Sequence, residues 1–66
     1  MSVMKVIELM AQSSDSWEDA TRQAVAKASE TLMNIKSVWV QDQSAIVKNG
    51  KVEEFRVTVK VTFEVR

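Results

Sequence analysis

The sequence predicts an α+β fold of order β-α-β-β, in which a three-stranded antiparallel sheet partly wraps around a single helix. Three observations predict it. Phe55 to Val65 reads Phe-Arg-Val-Thr-Val-Lys-Val-Thr-Phe-Glu-Val, apolar at every odd position and polar at every even one. That is the period-two pattern of a strand with one buried face. Asn49-Gly50 stands between two extended runs, the strongest short-range signal for a two-residue type I′ hairpin turn. From Trp17 to Ile35, apolar and small residues recur three and four apart, as on one face of an amphipathic helix.

The first strand is expected from about Val3 to Met10, with apolar residues on both faces and Lys5 and Glu8 breaking them. Ala11-Gln-Ser-Ser-Asp-Ser then reads as a turn feeding a helix start. Ser14 or Ser16 can cap the first free amides there, and Asp15, Glu18 and Asp19 suit the positive end of the helix. Trp17, Ala20, Ala24, Ala28, Leu32 and Ile35, with Thr21, Val25 and Thr31 alongside, form one face. Its alanines let the helix lie close on a sheet. Asn34, which tolerates a left-handed backbone, is the expected stop.

From Lys36 to Arg66 the chain reads as one long hairpin whose register the turn fixes. With Lys48 opposite Lys51, Val38 faces Val61, Val40 faces Val59, Trp39 faces Lys60 and Gln43 faces Arg56. One face then carries Val38, Val40 and Ile46 with Phe55, Val57, Val59, Val61, Phe63 and Val65, interrupted by Asp42 and Ser44. The other carries Ser37, Trp39, Gln41, Gln43 and Ala45 with Arg56, Thr58, Lys60, Thr62 and Glu64.

The 66 residues make one domain, 1–66, with no Pro, no linker and no repeat. A chain this short buries only about 60% of the surface its unfolded form exposes, and with no Cys and no His it has neither a disulfide nor a conventional zinc site as a staple. A helix of roughly 19 residues is about 28 Å long, whereas a strand of 16 residues spans about 53 Å. One helix cannot cover that hairpin, so an obligate homo-oligomer is expected to bury the rest. Nine basic and nine acidic residues, interspersed, leave no broad field to attract nucleic acid or a membrane surface. Lys5 and Glu8 break the apolar N-terminus, so neither a signal peptide nor a membrane span is expected, and a cytoplasmic location follows.

Trp39 is the informative residue for function, because the register puts its indole on the polar face. There it can stack against a flat aromatic ligand, with Arg56 and Lys60 to meet phosphate or carboxylate and Gln41 or Gln43 to hydrogen-bond a heterocycle. The competing reading packs Trp39 into a subunit interface, where Trp and Arg are enriched in any case. Trp17 reads as a core or interface anchor. Asp15, Glu18 and Asp19 offer oxygen ligands to a hard cation such as calcium, but the helix dipole alone explains acids there. Met1, Met4, Met10 and Met33 read as gap-fillers or terminal residues. Without Cys, His or a glycine-rich loop the common catalytic arrangements are missing, so an enzyme is not expected.

Ser-Ser-Asp-Ser-Trp-Glu-Asp-Ala opening the only helix, Ala-Ser-Glu-Thr-Leu near its end and Gly50-Lys-Val-Glu-Glu-Phe-Arg-Val-Thr-Val-Lys-Val-Thr-Phe closing a hairpin together make the chain resemble the dodecins over essentially its full length. The resemblance implies a β-α-β-β subunit and a hollow homododecamer of cubic (tetrahedral) symmetry. It also implies a flavin ligand, riboflavin, FMN or FAD, stored or quenched as stacked pairs between symmetry-related tryptophans. The stacking tryptophan of typical flavin-binding members aligns with Ser37, and the glutamine that bonds the flavin edge aligns with Arg56. Trp39 stands two residues further on, on the same face and about 7 Å away. Some members without the flavin signature are associated with calcium instead.

Overall fold

The computed structural model describes residues 2–66, so Met1 and its reading as a terminal residue lie outside the described residues. β1 (Val3–Ser13) leads through a short turn into α1 (Trp17–Ala28), and β2 (Ile35–Lys48) returns through a tight turn as β3 (Lys51–Val65). The sheet order is β1-β3-β2, antiparallel throughout. β3 is therefore the central strand, which is why its alternation is the cleanest in the sequence. Val57, Val59 and Val61 are fully buried, and the alanine stripe Ala20, Ala24 and Ala28 lies buried on the same side. Small side chains let the helix approach the sheet closely, and Ile7, Leu9, Val38 and Val40 flank the contact.

β1 runs three residues past the expected end at Met10, because Ala11 and Ser13 continue its helix-side row opposite Val57 and Phe55. Turn chemistry is still present, but it joins strand to helix. The buried Ser13 hydroxyl donates to the Asp19 carboxylate at 2.6 Å and accepts the Asp15 amide at 3.0 Å. Of the two candidate caps, Ser16 is the N-cap, its hydroxyl accepting the Asp19 amide at 2.9 Å.

α1 stops at Ala28, six residues before Asn34. Ser29 turns its hydroxyl back onto the Val25 carbonyl at 2.8 Å. The next amides fold into short-range bonds, Glu30 to Lys27 and Thr31 to Ala28, each 3.2 Å. Ser and β-branched Thr compete poorly as helix interior residues, and here the chain tightens into turns with bonds three residues apart. Asn34 does adopt a left-handed backbone, φ 63°, but it reverses the chain into β2, and its carbonyl accepts the Glu64 amide at 3.0 Å. Ile35 consequently packs on the core from β2 rather than from the helix.

Asn49 and Gly50, with φ of 53° and 73°, form the expected tight turn. The register agrees at Lys48/Lys51, Val40/Val59, Trp39/Lys60 and Val38/Val61, but it slips between these points. Gln41 is an extra residue on β2, and Glu53 is an extra residue on β3. Between them Gln43 faces Val57, not Arg56, while Ser44 faces Arg56 and Asp42 faces Thr58. A one-residue bulge flips every following side chain in a period-two strand. The face assignment is corrected accordingly: Asp42, Ser44 and Ile46 lie on the face away from the helix, and Gln43 and Ala45 lie on the helix side. The two polar residues that interrupted the apolar row are not in that row.

The subunit measures 51 × 19 × 13 Å. Twelve helical residues span only about 18 Å, so the helix is shorter than expected and the hairpin overhang greater. At the overhang Val47 and Val52 face each other and are both more than half exposed. Nearer the helix, Trp17 meets Phe55 edge to face, ring centroids 5.0 Å apart, and its Nε1 donates to the Ser44 carbonyl at 2.8 Å. Among the described residues no helix is long and apolar enough to cross a membrane.

Candidate functional site

The sheet face turned away from α1 is built in rows across β1, β3 and β2, because directly opposed residues share a face. Successive rows are Val6, Thr62 and Ser37; Glu8, Lys60 and Trp39; Met10, Thr58 and Asp42; Gln12, Arg56 and Ser44. Trp39 is 63% exposed on this face, and the Lys60 Nζ sits 5.4 Å from its ring centroid. That is a cation–π distance. The face is less polar than the hairpin alone indicated, since β1 adds Met4, Val6 and Met10, all exposed.

Arg56 is held by a residue the sequence reading did not single out. Its Nε and Nη2 both donate to the Gln12 Oε1, at 3.0 and 2.7 Å. Finding Gln12 from sequence requires the β1/β3 register, and no short turn fixes that register as Asn49-Gly50 fixes the hairpin. Of the six residues expected at the site, Trp39, Lys60, Arg56 and Ser37 share this face. Gln41 is the exposed bulge residue beside it. Gln43 is on the opposite side, in a groove with Trp17, Thr21 and Val40. It is not a neighbour of Trp39.

At the helix start two of the three candidate acids, Asp19 and Glu18, are already engaged, whereas Asp15 contributes only its backbone amide, to Ser13. Asp19 accepts from Ser13 and from Gln23 Nε2, and Glu18 pairs with Arg22 at 3.3 Å. The Ser13 hydrogen bond first, then that of Gln23, holds the Asp19 carboxyl below its usual 3.8, against a smaller opposing effect of burial. Among the described residues no three acidic side chains converge on a point where a metal ion would sit. A groove of about 460 Å³ runs between β1 and α1, lined by Leu9, Ala11, Ala24 and Ala26 with Gln23, Lys27 and Glu30 at its margins. It lies on the helix side, away from Trp39.

The family profile for dodecins matches residues 3–66. The chain belongs to the dodecin family. It is 33% identical over 66 residues to the calcium dodecin of Mycobacterium tuberculosis (strain ATCC 25618 / H37Rv), covering all of this chain and 93% of that one. The dodecin from Streptomyces coelicolor superposes with a TM-score of 0.94 at 28% identity, covering 98% of this chain and 93% of the other. The crystal structure of the Mycobacterium tuberculosis calcium dodecin gives 0.85 at 35% identity, with the same coverage. Sequence likeness and backbone likeness thus rank these two relatives in opposite orders. The β-α-β-β topology and its three-stranded antiparallel sheet are those of dodecins.

Proposed function

We propose that this dodecin is a non-catalytic binding protein that assembles as a homododecamer and sequesters a flavin, with Trp39 as the stacking residue and Arg56 as the polar anchor. The observation that carries the reading is the indole of Trp39, 63% exposed on the sheet face turned away from the helix, beside Lys60. An indole is costly to leave in water, and the single subunit leaves this one mostly uncovered. A planar ring laid on Trp39 and covered by a second subunit meets both needs at once. Twelve subunits is what the family resemblance implies, and the long uncovered hairpin supports assembly of some closed kind.

A second reading has one specific observation in its favour: a full-length relative at 33% identity is named a calcium dodecin. Against it, Asp19 and Glu18 already spend their carboxylates on Ser13, Gln23 and Arg22. Riboflavin titration, following flavin fluorescence together with light-scattering mass, tests the proposal. Saturable quenching at a fixed ratio to a particle of about twelve subunits, lost in Trp39→Ala at unchanged mass, is the expected result. Calorimetric calcium binding by a particle that leaves riboflavin fluorescence untouched would move the assignment to the second reading.

A further inference from the structure

The chain has two asparagines, Asn34 and Asn49, and both hold a left-handed backbone, with φ of 63° and 53°. An asparagine carboxamide stands one methylene from the main chain, so the amide nitrogen of the next residue can attack its Cγ and close a succinimide ring. A bulky next residue crowds that approach. At Asn34 the next residue is β-branched Ile35, which pairs with Phe63 and packs on the core, and the Asn34 carbonyl is bonded to the Glu64 amide at 3.0 Å. At Asn49 these restraints are missing. Gly50 has no side chain, nothing lies within 4 Å of where a Cβ would stand, and both residues are exposed. Lys48 and Lys51 form the last pair of the ladder, which leaves the two loop residues outside it.

We infer that Asn49 is a site of spontaneous deamidation, and that its isoaspartyl product unmakes the hairpin turn. The Gly50 amide gives its proton to hydroxide, and its nitrogen bonds to the Asn49 Cγ. The carboxamide carbon–nitrogen bond then breaks, and the departing nitrogen takes a proton from water and leaves as ammonia. Water reopens the ring in one of two ways. Breaking the new bond leaves aspartate, whereas breaking the original peptide bond leaves isoaspartate, with the main chain rerouted through Cβ and Cγ. The turn sets the pace: a type I′ turn holds ψ of its first loop residue at about +30°, which carries the Gly50 nitrogen away from the Asn49 Cγ. The tip has to open before the ring closes, and loop tips open at low cost. The two products differ in consequence. Asp-Gly suits the same turn as Asn-Gly, and a carboxylate at position 49 falls between Lys48 and Lys51, the first already shared with Glu53 at 3.5 Å. Isoaspartate instead adds a carbon to the main chain of a two-residue loop, and the pairing of Val47 with Val52 and of the rows beyond depends on that loop. None of this chemistry needs a ligand, so it stands apart from the flavin reading.

The test incubates the wild-type protein at mildly alkaline pH, beside the same chain in urea, and follows both by peptide mass spectrometry with enzymatic isoaspartate labelling. A carboxyl is expected at position 49, with isoaspartate in excess and more slowly than in urea, while Asn34 keeps its amide in the folded protein. Each event adds one negative charge to a chain whose formal net charge is zero, which isoelectric focusing reads as an acidic shift. Conversion of Asn34 as fast as Asn49 in the folded protein overturns the inference. So does an unchanged Asn49 after a period in which the urea sample converts fully. Two variants separate the chemistry from its consequence: Asn49→Gly, whose Gly-Gly loop suits the turn and has no carboxamide, and Asn49→Asp, which carries the charge without the extra carbon. The aged wild type is expected to melt at a lower temperature than either variant incubated alike. Equal melting, with isoaspartate present, overturns the claim that this product unmakes the turn.

Discussion

Ser13 and Asp19 show how one polar pair can hold two elements in place. Ser13 is the only buried polar residue among the described ones, and its hydroxyl bridges the Asp19 carboxylate and the Asp15 amide, tying the end of β1 to the first turn of α1. The same bond, ahead of Gln23 and Arg22, lowers the Asp19 pKa below 3.8. A carboxyl whose folded-state pKa is depressed stabilises the fold above its unfolded value, and that contribution is lost as pH falls through the lower folded value. Thermal unfolding of the wild type should therefore drop more steeply as pH falls below about 4 than that of Asp19→Asn, whose amide oxygen still accepts from Ser13 but does not titrate. Glu64, depressed chiefly by Arg66, titrates in both proteins and cancels from the comparison. Parallel curves would show that the Asp19 charge adds nothing to the fold. Sequence reading placed both residues at the helix start but not their bond, since a serine in a turn-forming run gives no sign of being buried.

At the scale of elements, β3 and the turn were legible and the middle of β2 was not. Asn49-Gly50 determined the first pair, and the strict alternation of β3 identified its buried face. Two compensating irregularities at Gln41 and Glu53 leave Ser37 to Val40 in the expected register, so the pairs on either side do not reveal the slip between them; a third irregularity, between Ile35 and Ser37, shifts the pairing again at the start of β2. The one signal was Asp42 and Ser44 falling in an apolar row, a conflict that a bulge resolves. The end of α1 was missed for a different reason: the three-and-four spacing carries on through Leu32 and Ile35, but Ser29 and Thr31 divert the backbone first. The bulge makes a testable claim about Gln43. If it faces Trp17, Thr21 and Val40, Gln43→Val extends the apolar contact and should raise unfolding stability by up to about 1 kcal/mol, with flavin quenching unchanged. A bulge-free register puts residue 43 beside Arg56, and then the same variant would alter quenching and leave stability flat.

For the whole molecule, the mismatch between a short helix and a long hairpin is the fact that assembly has to answer. The helix covers Val57, Val59 and Val61 within one subunit. A charge at these valines therefore tests folding rather than association: Val59→Asp buries an unpaired carboxylate and should leave an unfolded chain. The residues that speak for assembly are the apolar ones a single subunit leaves uncovered. Val47 and Val52 at the hairpin end are 59% and 54% exposed, and Met10 and Val6 on the Trp39 face are exposed as well. They are scattered over both ends of a body 51 Å long and only 13 Å thick, a shape with little interior of its own and much surface to share. Val52→Glu should keep the circular-dichroism signature of the subunit but lower the light-scattering mass, or raise the protein concentration at which the particle dissociates by about tenfold or more. A particle of unchanged mass and stability would mean that the hairpin end projects freely into solvent. The cover for the long strand face would then come from the Trp39 side alone, and a ligand laid on Trp39, as proposed, would itself become part of what holds the assembly together.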